Sequence, residues 1–333
     1  MEASIKHITY YLPPKIISNK DLSKVFPEFT PAQIFKKTGV KKRTHTSVDC
    51  IGSDMAFHAA QKLFTESEID KEEIDFLIYV TEGLDYKAPA TAVILQDRLG
   101  LSMDIGAIDV PLGCSGFTHA LGLAKMVISS GQGKDVLLLF GDTPSFVSHP
   151  NDFALRSLFS DAGAAVWVSL SDIPSIGHFV YGSDGSGLKN LFVDQSSTRN
   201  PLDQKWLESN ADAGGMVYGQ MKMDGLEVFT FSLQRVPILV NDILKKNKLS
   251  FEDIDLFVFH QASNIILKSV QRKLKIPDDR MAYYIEDFGN TVSVSIPIAL
   301  SESIKEGRVK KGSKVLVAGF GIGYSWSGTV LYY

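Results

Sequence analysis

The chain has 333 residues, of which 44% are hydrophobic and 22% charged, so it can bury a large core and is neither disordered nor fibrous. The 34 Lys and Arg residues nearly balance the 38 Asp and Glu residues, which argues against a nucleic-acid partner. No apolar run reaches membrane-helix length, the N-terminus lacks a signal-peptide pattern, and two cysteines exclude a disulfide framework. We therefore expect a soluble, cytoplasmic protein, and its length suggests two domains.

Apolar runs of strand length follow one another along the chain. Each run is continuous, which is typical of strands buried on both faces of a sheet. These predicted strands are Ile74–Thr81, Ile105–Val110, Val136–Phe140, Ala164–Leu170, Leu256–Phe259 and Val315–Ala318. Segments of helical period separate them, one starting after Cys114 and one running from Asn290 to about Lys305. This alternation predicts an α/β fold with a mostly parallel sheet.

The order of these features is repeated along the chain. Residues 73–80 resemble residues 253–260, and residues 135–139 resemble residues 314–318. Gly113-Cys114 lies between residues 73–80 and 135–139, and Gly289-Asn290 lies between residues 253–260 and 314–318. Each of these dipeptides ends an apolar approach and opens a helical pattern. Matches in the same order indicate a duplication. We predict two related halves, residues 1–170 with Cys114 and residues 171–333 with His260 and Asn290.

Cys114 is a candidate nucleophile. It lies between a predicted strand and an amphipathic helix, where free N–H groups and the helix dipole favour a thiolate. The alternative is a small buried apolar residue, which is common for cysteine. Ser115 is a weaker candidate, because a nucleophile elbow needs glycine where Phe117 stands.

His260 and Asn290 are candidate site residues from the second half. His260 ends a buried strand, which is where α/β proteins place catalytic groups, although a hydrogen-bonded structural histidine is equally plausible. Asn290 precedes a predicted helix, so it either caps that helix or lines a site as a neutral donor. No histidine belongs to an HxxxH or HExxH pair, and the sequence predicts no metal site.

Two further patterns concern ligands. Residues 319–323, GFGIG, lack the spacing of a dinucleotide-binding motif and precede a strand pattern, which favours a turn that presents backbone N–H groups to a ligand. The basic residues around Lys37 are either a solvated face, which is the commoner case, or a site for a phosphate-bearing partner.

Cys114, His260 and Asn290, in this order, resemble the β-ketoacyl-acyl-carrier-protein synthase III family of the thiolase superfamily. The resemblance covers essentially the whole chain. Its motifs are Tyr11-Leu12-Pro13, Lys37-Thr38-Gly39-Val40 with Arg43, Gly113-Cys114-Ser115-Gly116-Phe117, residues 159–165, His260-Gln261-Ala262-Ser263, Gly289-Asn290-Thr291 with Ser295-Ile296-Pro297, and residues 319–323 with Trp326.

This resemblance implies a five-layered αβαβα thiolase fold of two duplicated halves, in a homodimer. It implies that Cys114 accepts an acyl group from a thioester, with the backbone N–H groups of Cys114 and Ile322 as the oxyanion hole. His260 and Asn290 then bind a malonyl thioester and stabilise the enolate that remains after CO2 departs. No metal or organic cofactor is implied, since the substrates are thioesters of coenzyme A or of the phosphopantetheine arm of an acyl-carrier protein.

Some positions depart from the family pattern. The Trp that stacks on the adenine of coenzyme A falls at Gln33, and the Arg on its other side falls near Phe153, which favours acyl-carrier protein over acyl-CoA as the donor. The aromatic residue that limits acyl length across the dimer interface falls near Ala88. A larger acyl group is therefore expected, unless Tyr86 takes the place of that residue.

Other positions concern the carrier protein. Arg272 and Lys273 remain basic on the surface where the family docks its carrier, and Lys37 lies in the segment that matches the family's Arg-Thr-Gly motif. We therefore treat Lys37, Arg272 and Lys273, with Ala88, as candidate carrier-binding or substrate-binding residues.

The leading hypothesis is a decarboxylative condensing enzyme in a specialised, polyketide-like or lipid pathway. The first alternative is an acyltransferase of the same fold that moves an acyl group from Cys114 to an alcohol, amine or thiol. The second is a non-catalytic partner subunit. Asn290 favours condensation because an enolate needs two donors, and the complete Cys-His-Asn set argues against a partner subunit.

Overall fold

The computed structural model describes residues 1–195, 197–209 and 219–333. Its strands are β1 (Glu2–Tyr11), β2 (Lys15–Ser18), β3 (Lys42–His45), β4 (Phe76–Val80), β5 (Gly106–Val110), β6 (Asp135–Asp142), β7 (Ala162–Ser171), β8 (Val180–Ser183), β9 (Leu191–Val193), β10 (Met221–Met223), β11 (Leu256–Phe259), β12 (Lys314–Gly321) and β13 (Ser325–Tyr332). The six strands predicted from apolar runs are present as β4, β5, β6, β7, β11 and β12.

The helices complete the element order. They are α1 (Asn19–Val25), α2 (Pro31–Thr38), α3 (Gly52–Glu66), α4 (Thr91–Leu99), α5 (Gly116–Ser129), α6 (Pro144–Val147), α7 (Phe153–Leu158), α8 (Gln204–Ser209), α9 (Gly225–Asn247), α10 (Asn264–Leu274), α11 (Ile285–Phe288) and α12 (Ser295–Lys305). The helices predicted after Cys114 and after Asn290 are α5 and α12.

Two main sheets share one arrangement of strands. The first has the order β1-β7-β6-β4-β5, and the second has the order β8-β13-β12-β11. In each, one pair (β4 with β6, β11 with β12) is parallel, and the two pairs that follow it in the strand order are antiparallel. Phe257 of β11 also forms a parallel bridge to Met281, on the side where β4 pairs with β5 in the first sheet. The strands of the first sheet lie within residues 2–171 and those of the second within residues 180–332, while the division at residue 170 stays a prediction.

The expectation of mostly parallel sheets is wrong, because both sheets are mixed. The apolar runs could not reveal the difference. A strand buried on both faces is continuously apolar whether its neighbour runs parallel or antiparallel, and the direction depends on the connections.

The sheets and helices form five layers. Helices α3 and α4 pack on the outer face of the first sheet, with Leu77 and Tyr79 of β4 in that core. Helices α5 and α12 lie between the two sheets, where Ile78 of β4 and Val315 of β12 share a second core. Helix α9 packs on the outer face of the second sheet, and α10 packs on α9. Alternate residues of one strand thus enter different cores, as the pleat requires.

This architecture brings polar residues to one place. Cys114 follows β5, and the Asp142 carboxyl ends β6, both at the carboxyl edge of the parallel strands of the first sheet. His260 follows β11, and Ile322 follows β12, at the corresponding edge of the second sheet. Open α/β sheets bind ligands at the carboxyl ends of their strands. A site assembled from both sheets is therefore expected between these edges.

Candidate active site

A cavity of about 1100 Å³ lies where the two sheets meet. It is lined by the three candidate catalytic residues, Cys114, His260 and Asn290, and by Ile322. The first half of the chain supplies Cys114, and the second half supplies the other three. The structure thus brings together the four residues that were predicted to take part in the chemistry.

Cys114 lies against the turn that follows β12. The Gly321 backbone approaches so closely that a Cβ there would lie 2.8 Å from the Cys114 sulfur. The backbone N–H groups of Ile322 and of Cys114 itself point at the sulfur, and both lower the pKa of the thiol. Burial outweighs them and raises the pKa to about 12. The expectation that the helix terminus favours a thiolate is therefore wrong for the free protein, because desolvation is the larger effect.

The ring of His260 is held in place by the Ser295 hydroxyl group. Burial lowers the pKa of His260 to about 3, so the ring is neutral at pH 7. Its Nδ1 lies 2.7 Å from the Ser295 Oγ, which is itself 3.0 Å from the Val292 carbonyl oxygen. The Ser295 hydroxyl has one proton, so it donates either to the Val292 carbonyl or to His260 Nδ1, and not to both. If Ser295 donates to Nδ1, the ring proton is on Nε2, as a donor; if Nδ1 donates to Ser295, Nε2 is an acceptor.

Asn290 has a fixed amide orientation. Its Oδ1 accepts from the Val292 N–H at 2.9 Å, and its Nδ2 donates to the Ala262 carbonyl at 3.0 Å. Val292 has a φ of 53°, which a β-branched residue rarely adopts, and this conformation turns its N–H toward Asn290. One N–H of Asn290 Nδ2 is left without a protein acceptor among these contacts. Asn290 thus forms local backbone contacts, as a cap would, and also offers a donor to the cavity.

Two carboxyl groups that the sequence patterns did not indicate lie at the same edge. Asp142 is buried and accepts from the Glu82 N–H at 2.9 Å, the Ser293 N–H at 3.1 Å, the Ser293 hydroxyl and the Thr81 hydroxyl. Burial raises the pKa of Asp142, but the four donors favour its ionised form. Asp142 therefore links the end of β4 to the turn that follows Asn290 through hydrogen bonds.

Glu82 is the second of these groups. Glu82 is exposed to solvent, and it lines the cavity. Burial among protein atoms, and then the charge of Asp142, raise the pKa of Glu82 to about 8. Its position immediately after the buried run Ile74–Thr81 is the signal that could have identified it, because polar residues at the carboxyl ends of parallel strands meet at the site.

The remaining candidates do not line the cavity in the described residues. Lys37 is exposed on α2, with its Nζ 4.9 Å from the centre of the Phe29 ring. Arg272 and Lys273 lie in the last turn of α10, and Lys273 Nζ donates to the Leu233 carbonyl at 2.9 Å. Ala88 is exposed outside the cavity.

Two neighbours of these candidates do line the cavity. Tyr86, the predicted alternative to Ala88, forms part of its wall. Ser263, at the last position of the HQAN-like motif, also faces the cavity. Ser263 caps α10 as well, because its hydroxyl accepts from the Ile266 N–H at 3.2 Å.

Comparisons with known proteins identify the family. The 3-oxoacyl-[acyl-carrier-protein] synthase III family matches residues 108–185, and the C-terminal domain of that synthase matches residues 244–333. A β-ketoacyl-[acyl-carrier-protein] synthase III of Campylobacter jejuni is 34% identical over 99% of this chain and 98% of its own length. The chain belongs to the β-ketoacyl-[acyl-carrier-protein] synthase III family.

Solved structures extend this result to the fold. A 3-oxoacyl-(acyl-carrier-protein) synthase III with 36% identity covers 100% of both chains with a TM-score of 0.95. The synthase of Burkholderia xenovorans is 32% identical, covers 99% of this chain and 94% of its own, and has a TM-score of 0.91. The five layers described above are thus the thiolase fold of this synthase III family.

Family membership indicates an enzyme of the condensing type rather than a pure acyltransferase. None of the helices in the described parts of the chain is both long and apolar enough to cross a membrane. Within residues 1–195, 197–209 and 219–333, no three His, Cys, Asp or Glu side chains are grouped so that they could hold a metal ion.

Proposed function

We propose that this protein transfers an acyl group to Cys114 and then condenses it with a malonyl thioester, with loss of CO2. The observation that carries the proposal is the convergence of Cys114, His260 and Asn290 on one cavity, each with a functional group facing it. The nucleophile comes from one half of the chain and the two polar groups come from the other. The cavity therefore has an acyl side and a malonyl side.

In the first step, Cys114 Sγ attacks the acyl thioester carbonyl. The negative charge that develops on the carbonyl oxygen is stabilised by the N–H groups of Cys114 and Ile322. Both N–H groups lie close to the Cys114 sulfur, which supports this role. Collapse of the tetrahedral intermediate expels the carrier thiol and leaves an acyl group on Cys114. Because burial disfavours a free thiolate, this attack requires that the proton leave the thiol as the new bond forms.

In the second step, His260 and Asn290 bind the thioester carbonyl of the malonyl group. Departure of CO2 leaves an enolate, and two hydrogen-bond donors stabilise its oxygen. Asn290 Nδ2 retains one N–H for this purpose. His260 supplies the second donor when Ser295 donates to its Nδ1. The enolate carbon then attacks the acyl group on Cys114 and releases a β-ketoacyl thioester.

The acyl donor is an acyl-carrier protein in this proposal. Gln33 is engaged at the start of α2, where its side chain accepts from the Thr30 N–H at 2.8 Å. Phe153 packs against the Phe29 ring with 4.1 Å between ring centres and against the Phe26 ring at 5.3 Å. Neither position offers the Trp or the Arg that the family uses to hold adenine. This supports a carrier protein over free acyl-CoA.

The acyl group transferred to Cys114 is a large one in this proposal, and not a short group that a compact pocket could hold. The cavity of about 1100 Å³ exceeds the usual size range of small-molecule sites. Its wall near Cys114 is apolar, with Leu191, Met221 and Val292 in one buried cluster. A long or bulky hydrocarbon group fits these walls, and such a group suits a specialised lipid or polyketide-like pathway. We further propose a cytoplasmic homodimer, which light scattering after size-exclusion chromatography would test.

The decisive experiment is the intact mass of the protein after mixing with matched acyl-CoA and acyl-carrier-protein thioesters of increasing length. Acylation that disappears in Cys114→Ala supports the nucleophile, and acylation that persists in this variant refutes it. Malonyl-carrier protein is then added to the acyl-enzyme. Release of CO2 together with a β-ketoacyl product supports condensation.

Other outcomes point to the alternatives. Loss of the acyl group to an added alcohol, amine or thiol without CO2 release indicates a plain acyltransferase. Absence of any acylation indicates a non-catalytic partner subunit. Equal or faster acylation from acyl-CoA contradicts the inference drawn from Gln33 and Phe153.

A further inference from the structure

The Cys114 thiol must lose its proton when an acyl group is transferred to it, and the cavity offers few acceptors. Burial raises the pKa of Cys114 to about 12, whereas it lowers the pKa of His260 to about 3. His260 is thus a weaker base than the thiolate that it would have to generate. General bases work well only when their pKa lies near the working pH.

Glu82 lies beside the thiol on the same wall of the cavity. It follows the end of β4, next to the strand that leads to Cys114. The N–H of Gly113, the residue before Cys114, is close enough to the Glu82 carboxylate to lower its pKa. A Cβ at residue 113 would lie 2.7 Å from Glu82 Oε1, so the glycine allows this close approach. The charge of Glu82 also acts on the thiol directly, and raises its pKa.

The charges that act most on the Cys114 thiol are those of Glu82 and then Asp142. The oxygens of Asp142, the carboxyl group that faces Glu82 from β6, already accept from four donors. Asp85, on the same loop as Glu82, accepts from the Ser53 hydroxyl through Oδ2 at 2.8 Å, and its Oδ1 has no hydrogen-bond partner among the described residues. Lys87 is exposed farther along this loop. Burial and the charge of Asp142 raise the pKa of Glu82 to about 8, which is close to the pH at which a general base would work.

We propose that Glu82 is the catalytic acid–base residue for Cys114 and exchanges the thiol proton through one water molecule in the cavity. This inference rests on the proposed acyl transfer to Cys114. During acylation, the Cys114 S–H proton passes to the Glu82 carboxylate as the sulfur bonds to the acyl carbon. The same proton then passes to the departing carrier sulfur as its C–S bond breaks, so Glu82 ends as it began.

Condensation uses the same residue in the opposite sense. The enolate carbon bonds to the acyl carbon, and the bond to Cys114 breaks with its electrons left on sulfur. After acylation, solvent gives one proton to the Glu82 carboxylate. Glu82 passes this proton to the Cys114 sulfur, which restores the thiol and leaves Glu82 a carboxylate again. One proton is thus taken up per turnover, as the loss of CO2 from a malonyl carboxylate requires.

The test compares wild type with Glu82→Gln, which keeps the size of the side chain and removes its basicity. The rate of Cys114 acylation in a single turnover is followed by intact mass from pH 6 to 10. Because the carboxylate is the base, the wild-type rate should rise with pH and level off above about 8. Glu82→Gln should lose this levelling and be about 10²-fold slower at pH 8. Glu82→Asp should keep the levelling.

The opposite result has a clear physical meaning. If Glu82 acts only as a charge, its removal lowers the pKa of Cys114 and acylation becomes faster; a Glu82→Gln rate equal to or above wild type at pH 9 overturns the proposal. Glu73→Gln, at the other end of β4, is the matched control because it makes the same charge change at a position outside the cavity. If Glu82→Gln does not fold, a wild-type profile without levelling overturns the proposal. Failure of wild type to acquire an acyl group refutes the proposed function instead.

Discussion

Gly321 is the position where a single methyl group should disable the acyl side of the cavity. A Cβ at this residue would lie 2.6 Å from Cys114 Cβ and 2.8 Å from Cys114 Sγ. Carbon atoms in ordinary contact lie about 3.5 to 4.0 Å apart. In Gly321→Ala, either the Cys114 side chain or the backbone that presents the Ile322 N–H must therefore move by about 1 Å.

This displacement sets the size of the effect. Misplacement of reacting groups by about 1 Å lowers a rate by about 10²-fold, and loss of one oxyanion donor lowers it by about 10²- to 10³-fold. We expect Gly321→Ala to acylate Cys114 at least about 10²-fold more slowly than wild type, which corresponds to about 2.7 kcal/mol of barrier. Crowding of a packed site costs about 1–3 kcal/mol of stability, so the variant should still fold.

The assay is single-turnover acylation followed by intact mass, with the melting temperature measured in parallel. Gly185→Ala is the matched control, because no atom lies within 4 Å of the position that its Cβ would take. It should acylate at the wild-type rate. A Gly321→Ala enzyme that is folded and acylated within threefold of wild type would show that the turn after β12 does not constrain the nucleophile.

Three further changes test the polar groups. Ser295→Ala leaves the Val292 carbonyl as the partner of His260 Nδ1, and this moves the ring proton from Nε2 to Nδ1. The rate of CO2 release should therefore fall about 10²-fold. An unchanged rate would contradict the role of His260 Nε2 as a donor. Burial lowers the pKa of His45 to about 3, so the contribution of the neutral ring to stability is present above pH 6.5 and lost below. Between pH 6.5 and 5, the free energy of unfolding measured in urea should fall by about 2 kcal/mol more for wild type than for His45→Gln. Parallel pH curves for the two proteins would refute this. Asp142→Asn places an amide N–H₂ against a backbone N–H donor, because both carboxylate oxygens accept from backbone N–H groups; it should cost about 1–3 kcal/mol, and a melting temperature equal to wild type would exclude that role.

The strands could be predicted where burial alone determines them. The run Leu256–Phe259 coincides with β11, because its four residues are buried on both faces. The run Val315–Ala318 continues as β12 to Gly321, and there the prediction stopped short. Gly319 and Gly321 pair with Ser327 and Ser325 of β13, and these backbone contacts extend the strand through glycines that have no strand preference of their own.

The candidate site could be predicted only in part, since sequence spacing indicates position and not environment. Cys114, His260 and Asn290 each stand where an apolar element ends, and such positions are visible in a sequence. The pKa of Cys114 depends on how completely the thiol is buried, and this is decided by the close approach of Gly321 from the other half of the chain. No local pattern around residue 114 contains that information.

Asp142 shows how the two halves of the chain are held in one geometry. One of its oxygens accepts from the Glu82 N–H at the end of β4, and the other accepts from the Ser293 N–H in the turn after Asn290. A single buried carboxylate therefore joins the loop that faces Cys114 to the segment that carries Asn290. An acyl group on Cys114 and an enolate held by Asn290 must meet within bonding distance, so the separation of these two segments has to be fixed. The four hydrogen bonds that Asp142 accepts hold that separation while the groups around it exchange protons.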